Sequence, residues 1–503
     1  MTLAAPRGRA RPRGPRLSER KEMTEKIFRS FDEIPGRYPR EVIIPDGYTE
    51  IGEGAFKDRP SIKSVVIPES VVKIGDGAFS GCTSLEKIVI PPSITTIGDG
   101  VFSGCTSLEK IVIPLSVTTI GSGAFRGCKQ LAGVEIPKSV TTIGGEAFRD
   151  CWSLRGIEIP ESVTQIGKGA FRRCTSLKKA VFPGSITKIE EEMFRGCCTL
   201  WNVVLPASIT EIGNYAFCEC VSLAGVDLPK AVAKIGGGAF SGCVSLAGVE
   251  LPESVTTIAD AAFVGCTSLV SVVIPESVTT LGEGVFSGCT SLADVTLPKS
   301  IREIGGWMFK GCTSLAGVVI PKSVAKIGDW AFKGCTSLAS VELPEAVTEI
   351  GKNAFSSCKS LAGVDIPKSV AKIGDGAFWG CSSLVSVALP DLVAEIGESA
   401  FNDCPSLVSV VIPESVTKIG KWAFYCCKAL VSVDIPNLVT EIGDGAFMLC
   451  TSLTSVDIPK SVTKIGSCAF MSCDSLERAT VPGSAHWPKD AFAGCPKLKI
   501  TCR

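Results

Sequence analysis

A repeat with a fixed period of 23 residues constrains the fold of this chain more than any other feature of its sequence. Phenylalanine recurs from Phe56 to Phe470, a span of 414 residues or 18 intervals of 23, without an insertion or a deletion. Proline keeps the same spacing from Pro45 to Pro482, and a last interval of 22 residues leads to Phe492. Because a period of about 20–50 residues is typical of repeat architectures, the chain is predicted to form a solenoid rather than separate globular domains.

Each repeat is predicted to contain two short strands followed by a tight turn. In residues 85–107, a β-branched segment that ends at Pro91 predicts the first strand, and a second extended segment follows at residues 94–97. Gly98 and Gly100 then permit a tight turn. The Ala-Phe-x-Gly-Cys segment that closes each repeat is expected to form a single helical or 3-10 turn that carries Phe and Cys inward.

Coils of this kind cannot fold singly, because one coil leaves its apolar side exposed to water. Stacking about 20 coils at the usual strand spacing of ~4.8 Å buries those sides in one continuous core and builds a parallel sheet. Parallel crossover connections are right-handed in nearly all proteins. We therefore predict an α/β-type repeat solenoid that is right-handed and has about 20 coils of 23 residues.

The repeat unit resembles that of the BspA-like, or Treponema pallidum-type, leucine-rich repeat proteins. The resemblance covers about residues 42–500 and depends on the unit L-x-x-V-x-I-P-x-S-V-T-x-I-G-x-G-A-F-x-G-C-x-S, which recurs about 20 times. Because Glu190 and Ala259 replace the Gly after the second Ile, that Gly is not expected to need a positive φ in every coil. The resemblance implies a curved leucine-rich repeat horseshoe with its parallel sheet on the concave face and short helical or 3-10 turns on the convex side. It also implies protein binding, often as an adhesin on cell surfaces.

The composition divides the chain into four segments. These are a disordered basic tail, an N-terminal cap with a short amphipathic helix, the leucine-rich repeat solenoid and an atypical C-terminal capping repeat, at residues 1–21, 22–44, 45–482 and 483–503. Six arginines interleaved with Pro and Gly predict the tail, for which an organelle transit peptide is the alternative. The helix is predicted because Ile27, Phe28 and Phe31 lie at helical spacing.

The charge balance argues against two classes of partner. With 51 Lys and Arg against 51 Asp and Glu, the net charge is +0, and no global field attracts nucleic acid. Proline or charged residues break every apolar run well before the ~18 residues that a membrane helix needs, so no membrane insertion is expected.

The N-terminus has no apolar block of a secretory signal, which favours an intracellular, cytoplasmic protein, with organelle targeting or the cell surface as alternatives. We expect a monomer.

The 24 cysteines divide into a regular set and a small remainder. Nineteen share one inward position beside the repeating Phe, which predicts a ladder of buried free thiols that pack as small apolar groups. Neighbouring thiols at ~5 Å are close enough for a disulfide, although equivalent side chains that point in parallel disfavour one. Five cysteines lie off the ladder and are the more probable reactive thiols: Cys198, Cys218, Cys426, Cys468 and Cys502.

Catalytic chemistry is not expected in this chain. Nucleophilic triads and most zinc sites use histidine, and the chain has a single one, His486, in the atypical last repeat. The adjacent and near-adjacent cysteine pairs lack the spacing of a four-thiolate site. The Gly-rich stretches recur in nearly every coil, as turns do and cofactor loops do not. The sequence therefore predicts no enzyme, no cofactor and no metal site.

The strand residue between the two inward positions forms an outward column that is expected to lie on the concave face. The whole column contains eight acids and no base. Such a column of acids repels phosphate backbones and favours a basic or apolar protein partner. The alternative interpretation is that the acids only keep an ordinary strand face soluble. The candidate binding residues are Glu135, Glu158, Val181, Val204, Asp227, Glu250, Val273, Glu342, Asp365, Asp434 and Asp457. The predicted function is a non-catalytic protein–protein interaction scaffold, with a BspA-like cell-surface or secreted adhesin as the alternative.

A second column, just before the Ile-Gly pair, alternates strictly between Glu and Lys from Glu303 to Lys464. Equivalent positions of stacked coils are near neighbours, so the alternation places opposite charges side by side. We expect this column to support the stack rather than to bind a partner.

Overall fold

The computed structural model describes residues 26–34 and 39–503. In these residues the chain forms 33 short strands and one 3-10 helix, Phe31–Glu33, and every pair of neighbouring strands is parallel. The architecture is a parallel β-solenoid of about 21 turns. The solenoid prediction is therefore confirmed, whereas the α/β label is wrong for the described residues, which contain almost no helix. The right-handed coil, the horseshoe curvature and the concave placement of a sheet stay predictions.

Two series of strands run along the solenoid. The second-strand series consists of two-residue strands, nearly all of which end at the repeating Ile, and it is present in every coil from residue 50 to residue 465. Its strands are Ile27–Phe28, Glu50–Ile51, Lys73–Ile74, Thr96–Ile97, Thr119–Ile120, Thr142–Ile143, Gln165–Ile166, Lys188–Ile189, Glu211–Ile212, Lys234–Ile235, Thr257–Ile258, Thr280–Leu281, Glu303–Ile304, Lys326–Ile327, Glu349–Ile350, Lys372–Ile373, Glu395–Ile396, Lys418–Ile419, Glu441–Ile442 and Lys464–Ile465.

The first-strand series lies on the preceding segment of each coil and is interrupted. Its strands are Glu41–Ile43, Ser64–Val66, Lys87–Val89, Gly156–Glu158, Lys179–Val181, Asn202–Val204, Ser271–Val273, Asp294–Thr296, Ser386–Ala388, Ser409–Val411, Ser455–Asp457, Arg478–Val481 and Lys499–Cys502. Several interrupted coils begin this segment with glycine: Gly133, Gly225, Gly248, Gly317 and Gly363. A Cβ at any of these five positions would meet nothing within 4 Å, so packing does not demand glycine there. Glycine has a low strand propensity, which favours an interruption in these five coils. Glycine is not the whole cause, because Gly156 stays in a strand and the coils that start with Lys110, Ser340 and Ser432 are also interrupted.

The turn after the second strand is a chain of separate β-turns, and the expected helical or 3-10 turn is wrong. Backbone N–H groups donate to the carbonyl three residues earlier only at every second residue, as from Ser80 to Gly77 (2.9 Å) and from Cys82 to Phe79 (3.2 Å). The reason is a left-handed residue in each turn, because Gly77 has a φ of 60° and Gly81 a φ of 75°. A helix needs consecutive residues near −60°, so it cannot pass these positions.

The Gly that follows the second Ile recurs in most coils for a reason other than a positive φ. Gly75 and Gly98 have no positive φ, as the replacements by Glu and Ala in other coils predicted. A Cβ on Gly75 would lie 2.5 Å from the backbone nitrogen of Glu53 in the preceding coil. The close approach of two backbones therefore selects glycine at this position.

A column of stacked phenylalanine rings forms the centre of the core. The rings run from Phe28 through Phe56 to Phe492 with ring centroids 5.0–5.9 Å apart and planes within 3–19° of parallel. Ladder cysteines from Cys82 to Cys473 are fully buried beside them. The predicted inward placement of Phe and Cys is confirmed.

The N-terminal segment adds a strand and a single 3-10 turn to the stack. Ile27–Phe28 pairs in parallel with Glu50–Ile51, and the ring of Phe28 stacks on Phe56 at 5.1 Å. Phe31 meets the same ring edge-on, so both aromatic residues extend the core instead of forming one face of a helix. The amphipathic helix predicted within residues 22–44 is therefore wrong for residues 26–34. The tail at residues 1–21 and residues 22–25 and 35–38 lie outside the described residues.

The last coil pairs with its neighbour through a longer strand. Arg478–Val481 lies parallel to Lys499–Cys502, and Trp487 contacts Phe492 edge-on at 5.4 Å. These contacts place the short repeat at the C-terminal end of the stack. The segment boundaries at residues 45, 482 and 483 stay predictions.

Candidate functional site

The predicted binding residues lie in one outward column of the first-strand segments. In Lys87–Val89 the middle residue is buried and its two neighbours are exposed, as expected for a strand with one face on the core. Ten of the eleven candidate residues are exposed and Val181 is half-buried, and we call these eleven residues the strand column. The same column continues toward the N-terminus with exposed Ile43, Val89 and Val112, of which Val112 is 81% exposed.

Four successive coils of the column, from Val112 to Val181, border an apolar cleft of about 1090 Å³. Val112 and Leu115 line it together with Glu135, Glu158 and Val181. Leu115 is 82% exposed and Val112 is 81% exposed, so together they present a contiguous apolar patch. The structure thus brings two of the predicted acids next to an apolar surface large enough to accept side chains of another molecule.

A second cleft of about 790 Å³ lies farther along the same column. Asp227, Glu250 and Val273 line it, and Trp201 forms part of its wall with 57% of its surface exposed. Trp201 was not among the residues that the sequence predicted. Its position just before a first strand could have identified it, because a large aromatic at an outward position near a strand start has no role in the core.

In the C-terminal part of the strand column, the acids differ in whether they form ion pairs. Glu342, Asp365 and Asp434 are exposed, without an ion pair to another described residue. Asp457 instead pairs with Arg503 of the last coil at 3.0 Å. Since these two residues are 46 positions apart, only the folded stack shows that this acid is already occupied.

Two acids of the second-strand column of alternating Glu and Lys, Glu349 and Glu441, form ion pairs with lysines of the same column. Glu349 accepts a hydrogen bond from Lys372 at 2.6 Å and lies 3.6 Å from Lys326, so one carboxylate bridges the coils on both sides. The hydrogen bond from Lys372 is the largest cause that lowers the pKa of Glu349. Glu441 bridges Lys418 and Lys464 in the same way. This column therefore supports the stack, as the sequence predicted.

The cysteine ladder is confirmed as a row of buried thiols that hydrogen-bond to the backbone. Cys82 donates to the carbonyl of Phe56 at 3.1 Å, and the other ladder thiols repeat this contact coil by coil. Burial raises the pKa of Cys128 to about 12. Protonated, buried thiols are poor nucleophiles, so the ladder acts as packing and not as a reactive centre.

The off-ladder cysteines do not share one environment. Cys218 is buried, Cys502 is exposed, and Cys198, Cys426 and Cys468 are half-buried. Burial raises the pKa of Cys218 and of Cys426, which disfavours their thiolates. Reactivity at the off-ladder cysteines stays a prediction.

The sequence did not predict the altered thiol at the C-terminal end of the ladder. Cys495 is only half-buried, and its thiol donates to the carbonyl of Phe470 at 3.1 Å. The neighbouring thiol of Cys473 is the largest cause that lowers the pKa of Cys495. The shortened last repeat was the signal for an altered environment at this position.

Neither a metal cluster nor a membrane helix is found in the part of the chain that the structure describes. There, no three side chains of His, Cys, Asp or Glu are grouped so that they could hold a metal ion. Within residues 26–34 and 39–503, no helix has the length and apolar character needed to cross a membrane.

The comparisons with known proteins identify the repeat. A family model described as the BspA type leucine rich repeat region, with six copies, matches residues 38–155, 141–270, 256–385 and 371–499. A comparison with curated proteins found no match.

Several solved structures share the repeat. A leucine-rich repeat protein from Bacteroides ovatus is 27% identical, with 92% of this chain and 92% of that chain covered and a TM-score of 0.36. The leucine rich repeat protein of T. pallidum is 29% identical over 42% of this chain and 79% of its own, with a TM-score of 0.28. A leucine rich cell surface protein from Faecalibacterium prausnitzii is 22% identical over 92% of this chain and 88% of its own, with a TM-score of 0.22.

Proposed function

The chain belongs to the BspA-type leucine-rich repeat family, and on this premise we propose that it is a non-catalytic scaffold that binds a protein partner along the strand column. The observation that carries the proposal is the pair of clefts at the column, where exposed apolar side chains lie beside acids. We expect the column to lie on the concave side of the solenoid.

The chemistry of the column defines the partner. Glu135 and Glu158 are a pair of acids in successive coils, Asp227 and Glu250 are another, and apolar residues stand between the two pairs. Complementary charge directs association, while apolar contacts at the centre of an interface supply most of its affinity. The partner is therefore a protein segment that presents basic residues around apolar ones.

The test is a quantitative interaction screen with charge-reversal variants. Glu135→Lys combined with Glu158→Lys should lower the capture of specific partners, because it places positive charge beside the first cleft. The matched control reverses Glu53 and Asp474, two exposed acids outside the strand column, and so changes the net charge equally. Equal capture by both variants and the unaltered protein would contradict the proposal.

A second pair of substitutions locates the binding region along the column. Asp227→Lys combined with Glu250→Lys changes only the second cleft. A partner that spans both clefts should bind either variant more weakly, whereas a short partner should respond to one of them. Sedimentation of the unaltered protein at several concentrations tests the expected monomer at the same time.

The compartment decides whether the partner lies inside the cell or outside it. Both an intracellular and a surface location are compatible with this proposal, and the similar protein from F. prausnitzii carries the name of a cell surface protein. Immunostaining of unpermeabilised cells distinguishes the two locations. An external signal would change the proposal from an internal scaffold to a surface adhesin.

A further inference from the structure

Two stacked tryptophans occupy turn positions where many coils have glycine. Trp307 and Trp330 both have a φ of 54°, and their rings lie 5.1 Å apart with planes 8° from parallel. Gly100 and Gly284 stand at the equivalent positions of other coils, with φ of 60° and 61°. A bulky residue in the left-handed region is rare and carries conformational strain. Trp307 is also 38% exposed, so burial in the core does not account for it.

The coil that precedes Trp307 has no side chain at the equivalent position to pack against its ring, because that residue is Gly284. Trp330, in the following coil, covers the opposite face. The preceding coil carries Gly284 at the equivalent position, and a Cβ there would lie 3.8 Å from the Cβ of Trp307. Because Gly284 has no side chain, a gap of one coil lies beside the indole of Trp307, and we call this gap the ledge.

A carboxylate without an ion-pair partner lies beside this ledge. The carboxylate carbon of Glu283 is 3.5 Å from the position that a Cβ on Gly306 would take, so it lies across the residue that precedes Trp307. Within the described residues, Glu283 makes no salt bridge. The site thus combines an aromatic face and a free negative charge.

Other exposed aromatics of this chain show what such a face binds. Three of them are covered by cations from preceding coils: Lys129 over Trp152 at 4.2 Å, Arg195 over Tyr215 at 5.5 Å and Lys333 over Trp379 at 5.9 Å. No cation of the described residues covers Trp307 in this way. Glu283 stands close by instead, and a carboxylate attracts a cation from outside the chain.

The groove that begins at Trp307 is also acidic. It has a volume of about 650 Å³ and is lined by six carboxylate side chains and three lysines. The lysines are engaged within the groove, since Lys326 and Lys372 contact Glu349 and Lys352 contacts Asp375. A cationic segment that enters the groove therefore meets an excess of negative charge.

We propose that Trp307 and Glu283 form a binding site for an arginine side chain of a partner protein. The guanidinium stacks on the uncovered face of Trp307 and donates hydrogen bonds to the carboxylate of Glu283. Arginine fits better than lysine because its planar group can stack and donate two parallel hydrogen bonds at once. This site lies on the turns after the second strands, so it is separate from the strand column and does not depend on it.

The probe is a pentapeptide with one arginine between pairs of glycines, added to the full-length protein. The expected result is a shift of the Trp307 indole signal in an NMR titration, at millimolar peptide. The control peptide replaces arginine by citrulline, which keeps the planar shape and loses the charge. We expect it to bind at least about fivefold more weakly, since charge drives cation–π contacts. Equal binding of the two peptides would overturn the proposal.

A pair of variants separates binding from folding. Trp307→Gly restores the residue that other coils have at this position, so the protein should fold with unchanged or higher thermal stability while binding falls about threefold to tenfold. Glu283→Gln should weaken the arginine peptide more than the citrulline peptide. Trp379→Ala is the matched control, because Lys333 already covers that ring, and it should leave peptide binding unchanged. Unchanged binding to Trp307→Gly, or a shift of Trp379 in place of Trp307, would refute the site.

Discussion

The two strand series enclose the same core but differ in how they are held. The second-strand series continues through every coil from Glu50–Ile51 to Lys464–Ile465, and Glu349 and Glu441 bridge its neighbours with lysines. The first-strand series has no strand in several coils, for example those that start this segment with Gly133 and Gly248, and its outward residues leave acids and valines exposed.

This difference shows that the second-strand side stabilises the stacking of the coils, whereas the outward residues on the first-strand side can vary. On the second-strand side, backbone contacts between Gly residues and ion pairs fix the spacing of the coils. On the first-strand side, only the inward residues are constrained, so the outward residue can be chosen for another purpose. The four tests below therefore compare the two series, or the core between them.

Removal of one central phenylalanine ring should lower the free energy of unfolding more than any other change tested. It should destabilise both strand series. Phe263→Ala deletes a fully buried ring that stacks on Phe240 and Phe286, and it should lower the free energy of unfolding by about 3–5 kcal/mol. Hydrogen exchange should show faster exchange of amides in both strand series of the neighbouring coils. Loss of protection on one side only would mean that the two series do not share a core.

Matched glycine substitutions should distinguish the two sides directly. Gly236→Ala on the second-strand side places a Cβ 2.6 Å from the backbone nitrogen of Asn214, and it should destabilise the protein by about 1–3 kcal/mol. Gly248→Ala on the first-strand side meets no atom within 4 Å and should stabilise it by about 0.4–1 kcal/mol. Chemical denaturation measures both. Equal destabilisation would show that the first strands are packed as tightly as the second.

Charge reversal should affect stability in one series and not in the other. Glu349→Lys places three lysines in successive coils and should lower the free energy of unfolding by about 0.5–1 kcal/mol. Glu342→Lys, seven residues earlier on the strand column, should change it by less than about 0.5 kcal/mol. A similar loss in both variants, measured by thermal unfolding at low salt, would remove the distinction between the columns.

The pH dependence of the bridging carboxylates gives the smallest effect. The pKa of Glu349 lies below its ordinary value of 4.5 in the folded protein, because it accepts a hydrogen bond from Lys372. Its contribution to stability is therefore present above pH 4.5 and is lost as the pH falls through the lower, folded pKa. The difference in melting temperature between the unaltered protein and Glu349→Gln should therefore become smaller as the pH falls below 4.5. A constant difference across the acid range would contradict the bridge.

The core was predictable from the sequence because each coil repeats the same inward residues. Phe and Cys recur at fixed spacing, and a residue that recurs in every coil must meet its equivalent in the next coil. The turn was predicted wrongly because Gly77 and Gly81 adopt positive φ, which the pattern of apolar residues does not reveal. The helix prediction was wrong for residues 26–34, because Phe28 and Phe31 pack on Phe56 of the core instead.

The candidate surfaces could be predicted only in part. The alternation of inward and outward residues along a strand placed Glu135 and Glu158 on the surface, and the structure agrees. The ion pair of Asp457 with Arg503 needed the folded stack, because its partner lies two coils away in sequence. The sequence signal for Trp307 was a large aromatic residue, followed by a second at Trp330, at a turn position where many coils have glycine.

The uniform register of the strands limits how the length of such a molecule can change. Paired strand residues of neighbouring inner coils are 23 positions apart, as Glu349 is from Lys326 and from Lys372. Insertion of a single amino acid in such a coil would misalign its contacts on both sides. The repeat that places Phe492 after an interval of 22 residues departs from the period of 23. A gene for this protein can therefore grow or shrink by whole blocks of 69 nucleotides, each of which adds or removes one complete turn and preserves the reading frame.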